Sequence, residues 1–268
     1  MIDTDELYRE EKVIEDEAAE TYDSIYTRLS FYEYRRKVFA KYIASLANKL
    51  EFPKILEIGC GTGNLTRRME DVISEKGFIV GLDLSRKMIG VAKQKMKFAN
   101  FVTALGEKLP FVDSSFDLVV GIAILHHLPE LGAFFEEISR VLKRKGKTVF
   151  YEPHKGGILD ISVFRKAIKL LLLPIIIFVR TINKGRIKSV PRQKFSTAHR
   201  HLTRQEIEKS LPGWNIHFTY VDVITPFFDG ITFDNKFDWL ICKIINIIDR
   251  VLMTFMRGES IIVKGIRI

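Results

Sequence analysis

Between residues 51 and 154, short apolar runs alternate with segments whose apolar residues recur at helical spacing. The runs are rich in β-branched and aromatic residues, which is typical of buried strands. The predicted strands are Ile55–Ile58, Phe78–Asp83, Phe101–Ala104, Ser115–Val120 and Thr148–Tyr151. Lys145–Lys147 is predicted to be the turn before the last of these strands, and Ser85 is predicted to cap the helix that follows the second strand. Strands that alternate with helices form a parallel sheet with helices on both faces. The pattern therefore predicts an α/β fold with a doubly wound sheet.

The first 50 residues predict helices that precede the sheet. One apolar stripe runs from Val13 to Tyr26, and a second runs from Val38 to Leu50. Acidic residues are frequent between Asp3 and Glu20. Because charged residues usually occupy the outer side of an amphipathic helix, we expect these acids to form a solvated face.

The core pattern returns near the end of the chain. Thr203 and Glu206 have the spacing of a capping box that begins a helix. A strand is predicted at about Ile216–Ile224, and Ser260–Ile268 is predicted to be a last strand, antiparallel to its neighbour. With the five strands above, these predict a seven-stranded sheet.

Two insertions interrupt the core pattern after residue 154. The predicted organisation has five parts: N-terminal helices or a lid at 1–50, the core at 51–154, an apolar and basic cap at 155–200, the end of the core sheet at 201–224 and 259–268, and a second apolar helical insertion at 225–258.

A glycine turn joins the first predicted strand to a helix that begins near Leu65. Gly59, Gly61 and Gly63 allow the backbone to approach a ligand closely and to adopt positive φ. Asp83 ends the second strand, where a carboxylate can accept hydrogen bonds from the ribose hydroxyls of an adenosine. Many kinds of nucleotide site use a glycine turn, so the pair of turn and carboxylate carries more weight than either alone.

The segment Glu57-Ile58-Gly59-Cys60-Gly61-Thr62-Gly63 resembles the first motif, E/D-x-G-x-G-x-G, of the class I S-adenosylmethionine-dependent methyltransferases, in particular the small type 11 group. The resemblance implies a Rossmann-like seven-stranded sheet and S-adenosylmethionine as the cofactor. An acidic Glu57 suits a cationic sulfonium, whereas it would repel a pyrophosphate. A purely structural glycine turn is the alternative.

Further segments extend the resemblance. Tyr22–Tyr26 is similar to the family's Y-D-x-x-Y element, which implies that Tyr22 is part of a lid, although a tyrosine packed between helices fits the pattern too. Glu107–Phe111 matches an E-x-L-P-F turn, but Leu105 stands where the family usually has an acid facing adenine. The implied cofactor-binding residues are Tyr22, Glu57, Gly59, Gly61, Gly63, Asp83, Leu84, Gly106, Glu107 and Ile122.

Histidines are the candidate catalytic groups. Methyl transfer is an in-line displacement that depends on alignment, and a general base is needed only when the acceptor holds its proton. His126, His127 and His154 follow predicted strands at the edge where ligands bind. Side chains that merely pack against the sheet would explain the first two equally well. The two cysteines, Cys60 and Cys242, have no metal-ligand spacing, so no metal is expected.

One segment carries the net charge of +9. Residues 161–209 contain twelve Lys or Arg and two acids, a net charge of +10, so the rest of the chain is close to neutral. Such a segment suits an anionic partner. An anionic headgroup clamp is predicted from residues that are all basic or His, with solvated loop charges as the alternative: Arg192, Lys194, His199, Arg200 and His201.

Both insertions are strongly apolar, but neither suits a membrane span, which needs roughly 20 apolar residues. Leu170–Val179 is short and contains Pro174, and Phe237–Met256 contains several charges. Apolar faces flanked by Lys and Arg favour an element that lies in the membrane interface. A cap whose helices pack on one another is the alternative, and its interior would suit a lipid tail. A nucleic-acid patch would lack interleaved aromatic residues, so nucleic acid is not an expected partner.

These patterns give two main hypotheses for function. The first is a peripheral membrane methyltransferase that acts on a lipid or isoprenoid, at a phosphate or hydroxyl headgroup. The second is a soluble methyltransferase that acts on a small molecule or quinone precursor. An RNA methyltransferase and a non-catalytic cofactor-binding module are further alternatives. An acidic N-terminus without a signal-peptide pattern and few cysteines predict the cytoplasm, at the inner face of the membrane.

Overall fold

The computed structural model describes residues 3–26, 30–73, 77–153, 202–221, 236–252 and 260–267, and single or paired residues at 166, 167, 170, 171, 173, 174, 177 and 181. The described helices are α1 (Thr4–Tyr26), α2 (Ser30–Ala47), α3 (Asn64–Glu70), α4 (Arg86–Lys93), α5 (Leu131–Val141), α6 (Arg204–Lys209) and α7 (Lys236–Leu252). The strands are β1 (Lys54–Ile58), β2 (Phe78–Asp83), β3 (Asn100–Thr103), β4 (Phe116–Ile122), β5 (Leu142–Pro153), β6 (Trp214–Val221) and β7 (Ser260–Arg267). A short 3-10 turn, Leu125–His127, follows β4.

The strands form one seven-stranded sheet in the order β3-β2-β1-β4-β5-β7-β6. Strands β1 to β5 are parallel to one another, whereas β7 is antiparallel to both of its neighbours, β5 and β6. The predicted Rossmann-like sheet with an antiparallel last strand is therefore confirmed. The last strand inserts between β5 and β6.

Helices cover both faces of the sheet, because successive strand residues point to opposite sides. Leu56 and Ile58 of β1 lie in a core cluster with Phe134 of α5 and Ile207 of α6. Ile55 lies in a second cluster with residues of α2 and α3. The carboxyl ends of β1, β2, β4 and β5 consequently meet at one edge, which is where such sheets bind ligands.

Two predicted helix starts are confirmed. Ser85 accepts a hydrogen bond from the N–H of Met88 and caps α4. Thr203 and Glu206 form the capping box of α6. Because a side chain satisfies backbone donors at each of these starts, the local sequence alone fixes where the helix begins.

Strand β5 is longer than the sequence predicted. The predicted turn at residues 145–147 lies inside it, as an irregularity where the pairing register with β4 shifts between Phe116 and Leu118. Lys145 has φ of 62°, which lets the strand bend without ending. The expectation of a turn at this position is wrong because the pairing with β4 resumes beyond the bend.

Helix α7 packs against α2. Its residues Ile245 and Asp249 are buried. The opposite side is an apolar stripe whose members are between 36% and 60% exposed: Leu240, Ile244, Ile247, Ile248 and Val251. Within the described parts of the chain, no helix is both long and apolar enough to cross a membrane.

Candidate cofactor and active site

The glycine turn leads from β1 into α3. Gly59, Gly61 and Gly63 have φ values of 68°, 51° and 78°, a region that residues with a Cβ rarely adopt. A Cβ at Gly59 would lie 2.8 Å from Cδ1 of Ile124, so the turn touches the segment that follows β4. A Cβ at Gly61 would meet no other atom within 4 Å. The turn thus presents its backbone to open space at Gly61.

Asp83 lies beside this open space at the end of β2. Its Oδ2 accepts a hydrogen bond from the N–H of Gly61 (2.7 Å), and its Oδ1 accepts one from the N–H of Ser85 (2.9 Å). Burial raises the pKa of Asp83 in spite of these two donors. The two hydrogen bonds fix the orientation of the carboxylate. Leu84, the next residue along the chain, is half-buried.

Glu57 lies beneath the glycine turn and is buried. The hydroxyl of Thr66, in α3, donates a hydrogen bond to Oε2 of Glu57. Burial raises the pKa of Glu57 to about 8, although Thr66 and the charge of Arg36 act in the opposite direction. Glu57 therefore ties β1 to α3 and is a potential negative charge under the turn.

Helix α1 crosses the site, with acidic side chains turned inward. Asp23 accepts hydrogen bonds from the hydroxyl of Thr62 (2.6 Å) and from Nδ2 of Asn64 (2.9 Å), and it pairs with Lys95. Burial acts to raise the pKa of Asp23, but these partners outweigh it and hold the pKa below its ordinary value. Asp23 thereby fastens the end of α1 to the glycine turn. Tyr22, its neighbour, is half-buried.

The middle of α1 brings further acids to the same edge. Ser85 donates a hydrogen bond to Asp16, and His127 pairs with Glu11. Burial, followed by the charges of Asp83 and Glu11, raises the pKa of Glu15 to about 7. The expectation that the early acids form a solvated face is therefore wrong for these three positions.

Val13, the first residue of the predicted apolar stripe of α1, is 56% exposed. The helix orients toward the sheet edge by hydrogen bonds and ion pairs made by its acids. A pattern of apolar spacing does not reveal such an orientation, because the partners of the acids lie far away in the sequence.

The turn after β3 holds Glu107 at the far end of the site. The hydroxyl of Tyr8, in α1, donates a hydrogen bond to Oε1 of Glu107. Burial raises the pKa of Glu107 to about 7. Gly106 is buried, and a Cβ there would lie 3.0 Å from the ring of Phe134. Leu105, at the position where an acid was expected, is half-buried.

Two residues of α5 hold this turn in place. Glu137 accepts a hydrogen bond from the N–H of Leu109 (2.8 Å). Arg140 donates to the carbonyls of Leu109 and Phe111 and pairs with Glu137 and Asp113. The Glu107 turn is consequently braced against α5 by charge-assisted hydrogen bonds.

The segment after β4 is held from below by Glu152, a buried residue of β5. Its Oε1 accepts hydrogen bonds from the N–H groups of Ile124 (2.8 Å) and Leu125 (2.9 Å), and its Oε2 lies 2.9 Å from Nδ1 of His126. His126 is buried, and its ring lies 4.2 Å from the ring of His127. His127 is the more exposed of the two, with 21% of its side chain exposed.

A family model described as a methyltransferase domain matches residues 56–150. This range contains the glycine turn, Asp83, the Glu107 turn and the histidine pair. The sheet order and the described site agree with it. Residues 56–150 are thereby identified as a methyltransferase domain.

Curated relatives of the methyltransferase domain include the demethylmenaquinone methyltransferase of Staphylococcus epidermidis. It is 34% identical over 137 residues, which cover 50% of this chain and 56% of the relative. A relative of the same name from Chlorobaculum parvum is 34% identical over 140 residues, covering 52% of this chain and 57% of the relative. The chain spans a little over half the length of the curated relatives it matches.

Among solved structures, a SAM-dependent methyltransferase of Thermotoga maritima resembles this chain with a TM-score of 0.59 and 17% identity. The similarity covers 96% of this chain and 99% of that chain. At this identity the likeness shows the fold alone.

The methyltransferase domain has room and chemistry for S-adenosylmethionine. Open space over Gly61 adjoins the oriented carboxylate of Asp83, and the carboxyl groups of Glu15 and Glu57 lie near it. Carboxyl groups favour a cationic ligand and disfavour a pyrophosphate. The residues present therefore fit a sulfonium cofactor. Ile122, at the end of β4, is half-buried at the same edge.

Several predicted site residues lie outside the described residues: His154, Arg192, Lys194, His199, Arg200 and His201. Their expected roles stay predictions. Within the described ranges, no group of three His, Cys, Asp or Glu side chains is placed to hold a metal ion.

Glu11, Glu15 and Glu152 were not predicted as site residues. Glu152 carried a usable signal, since a lone carboxylate at the end of an apolar parallel strand must find partners when it is buried. The acids of α1 carried no such signal, because a charged side of a helix is ordinarily solvated.

Proposed function

We propose that this chain transfers a methyl group from S-adenosylmethionine to a hydrophobic small molecule of the quinone-precursor type. The observation that most supports this proposal is the position of the Asp83 carboxylate, which the N–H groups of Gly61 and Ser85 hold next to open space. A carboxylate in this position suits the two hydroxyls of a ribose. The names of the similar proteins from S. epidermidis and C. parvum support the acceptor class.

Each part of the site has a role in this proposal. S-adenosylmethionine supplies a methyl group on a positively charged sulfur. Asp83 binds its ribose, and the glycine turn accommodates the chain that leads to the sulfur. The Glu107 turn contributes to the adenine end. Helix α1 covers the site and excludes water, which strengthens every charge interaction inside it.

Transfer of a labelled methyl group tests this function. Wild-type protein is incubated with methyl-labelled S-adenosylmethionine and a short-chain demethylmenaquinol, and label in the organic phase is counted. We expect label in the quinol product and a loss of at least tenfold for Asp83→Asn, since hydrogen bonds to charged groups are worth about 1.5–3 kcal/mol. Asp71→Asn is the matched control, because Asp71 is an exposed aspartate beyond α3. Label in neither this quinol nor a total lipid extract would contradict the proposal.

A peripheral membrane enzyme with a lipid or isoprenoid acceptor is the second candidate. The exposed apolar stripe of α7 supports it, since Ile247 and Val251 are 60% and 57% exposed. Lys243 and Arg250, on the same helix, are exposed and suit an anionic surface. The described residues Leu170 and Leu171 of the first insertion are also exposed, by 72% and 78%.

Sedimentation with anionic vesicles distinguishes the two candidates. A membrane-bound enzyme should sediment with phosphatidylglycerol vesicles at low salt, and Ile247→Glu should weaken that association. Val112→Glu is the matched control, because Val112 is a 78% exposed apolar residue in the loop before β4. Equal partitioning of wild type and both variants would leave α7 without a membrane role. No sedimentation of the wild type would rule out the second candidate.

A further inference from the structure

Glu11 of α1 and His127 form an ion pair between two distant parts of the chain. Oε1 of Glu11 lies 2.7 Å from Nδ1 of His127, and the side chains are only 12% and 21% exposed. A carboxylate next to Nδ1 favours the tautomer in which Nδ1 carries the proton. Nε2 is then the ring nitrogen that can accept a proton.

The peptide that carries His127 is held rigidly. Glu152 binds the N–H groups of Ile124 and Leu125 and the ring of His126, and the His126 ring lies against the His127 ring. His127 is thereby fixed from two sides, by Glu152 through its neighbours and by Glu11 directly. Preorganisation of this kind is what an acid–base group needs.

The pair lies at the cofactor site. Ile124, three residues before His127, would collide with a Cβ at Gly59 in the glycine turn. Glu15, one helical turn after Glu11, experiences the charges of both Asp83 and His127. His127 therefore shares the space under α1 with the residues that fit the adenosine.

We propose that Glu11 is a positioning residue for His127, which takes the proton of the acceptor when α1 covers the site. This inference rests on the proposed function and deepens it, because it requires an acceptor with an acidic hydroxyl, such as a phenol or hydroquinone. As a ring carbon beside this hydroxyl bonds to the methyl carbon, the methyl–sulfur bond breaks and its electron pair stays on sulfur, and the hydrogen of that ring carbon afterwards moves to the oxygen as a proton. The acceptor's hydroxyl proton moves to Nε2 of His127 and leaves to water when α1 opens.

The pair also affects the protonation of His127. Burial acts to lower the pKa of His127, but the hydrogen bond and charge of Glu11, together with the charges of Glu15 and Glu152, raise it above the ordinary value. Since a base must be unprotonated to act, transfer should increase with pH through this raised pKa. Removing the Glu11 charge should move that increase to lower pH.

Nuclear magnetic resonance of ring-labelled histidine tests the pair without an acceptor. The chain has six histidines, and the signal of His127 is assigned by its disappearance in His127→Asn. With S-adenosylmethionine bound, Glu11→Gln should shift the His127 titration to lower pH. Glu20→Gln, at an exposed position of the same helix, should not shift it. An unchanged titration in Glu11→Gln would overturn the pair, whether or not the proposed acceptor is correct.

Kinetics tests the catalytic part. We expect His127→Asn to lower kcat by about 100-fold or more, which is typical for loss of a general base. Glu11→Gln should lower kcat at high pH by on the order of tenfold and shift the acid limb of the profile downward, with an unchanged KM for S-adenosylmethionine. A pH profile identical to that of Glu20→Gln would overturn the role of Glu11. Absence of transfer by the wild type to quinol and cell extract would instead overturn the proposed function.

Discussion

Glu15, in the middle of α1, and Asp83, at the end of β2, bring two carboxyl groups to one edge of the sheet. Burial, followed by the charge of Asp83, raises the pKa of Glu15 to about 7. Two like charges in a buried site favour keeping a proton on one of them. The free energy of packing α1 over the site therefore depends on pH.

This relationship predicts how stability changes with pH. Between the unfolded pKa near 4.5 and the folded pKa near 7, the native state holds a proton on Glu15 that the unfolded state has lost. The contribution of Glu15 to the free energy of unfolding accordingly falls as the pH rises from about 4.5 to about 7, and it is lost completely at higher pH. Glu15→Gln removes the effect. In urea unfolding at pH 8 it should be more stable than wild type by ~1–3 kcal/mol, and at pH 4.5 close to wild type.

The matched control for that measurement is Glu20→Gln, because Glu20 is exposed on the same helix. Its difference from wild type in unfolding free energy should be the same at both pH values. A Glu15→Gln variant whose stability difference does not change between pH 4.5 and 8 would contradict the assignment of a shared proton.

Cofactor binding is predicted to release protons near pH 7. Glu15 has a pKa raised to about 7, and Glu57 has one raised to about 8. A sulfonium charge favours the ionised forms, so these groups lose protons when it arrives. Calorimetric titration with S-adenosylmethionine in buffers of different ionisation enthalpy measures the release directly. Glu15→Gln should release fewer protons, and equal heats in all buffers for the wild type would contradict the prediction.

Gly59 and Gly61 should respond differently to alanine. Both have positive φ, which costs roughly 1–2 kcal/mol for a residue with a Cβ. Only Gly59→Ala also forces Ile124 to move, so it should reduce the free energy of unfolding by more than Gly61→Ala does. Gly61→Ala should mainly weaken S-adenosylmethionine binding, because its methyl group enters the open space. Urea unfolding and calorimetry separate the two effects, and a reversed order of stability would refute this reasoning.

Glu152 should be a structural requirement for the histidine segment. In Glu152→Gln, the amide can no longer accept from Ile124 and Leu125 while also keeping the charge-assisted contact with His126. We expect a loss of about 2–4 kcal/mol in unfolding free energy and faster amide exchange at residues 124 and 125. Glu136→Gln, on an exposed position of α5, is the control. Wild-type exchange rates in Glu152→Gln would show that the carboxylate does not hold this segment.

The sequence predicted correctly those parts of the fold that depend on residues close together in the chain. The glycine turn, the strand that ends at Asp83 and the caps at Ser85 and Thr203 depend on residues within a few positions of one another. Strand β5 was predicted too short because its continuation through Lys145 depends on pairing with β4. The insertion of β7 between β5 and β6 is likewise a long-range property.

The site was predictable where a motif defines it and not where α1 contributes. Gly61 and Asp83 were predicted and lie together. Glu11 was assigned to solvent because its partner, His127, is more than one hundred residues away in the sequence. Charged residues on a helix have no spacing rule that separates a solvated face from one that covers a polar pocket. For α7, the apolar spacing predicted a helix correctly, but it did not indicate that one apolar side would be exposed.

Calorimetric titration of S-adenosylmethionine into wild type and Asp83→Asn measures whether Asp83 binds the cofactor. We expect one site per chain in the wild type and an affinity at least tenfold weaker in the variant, since each lost hydrogen bond to a charged group is worth about 1.5–3 kcal/mol. Asp71→Asn should bind like the wild type. No heat with the wild type, or equal affinity of wild type and Asp83→Asn, would contradict this expectation.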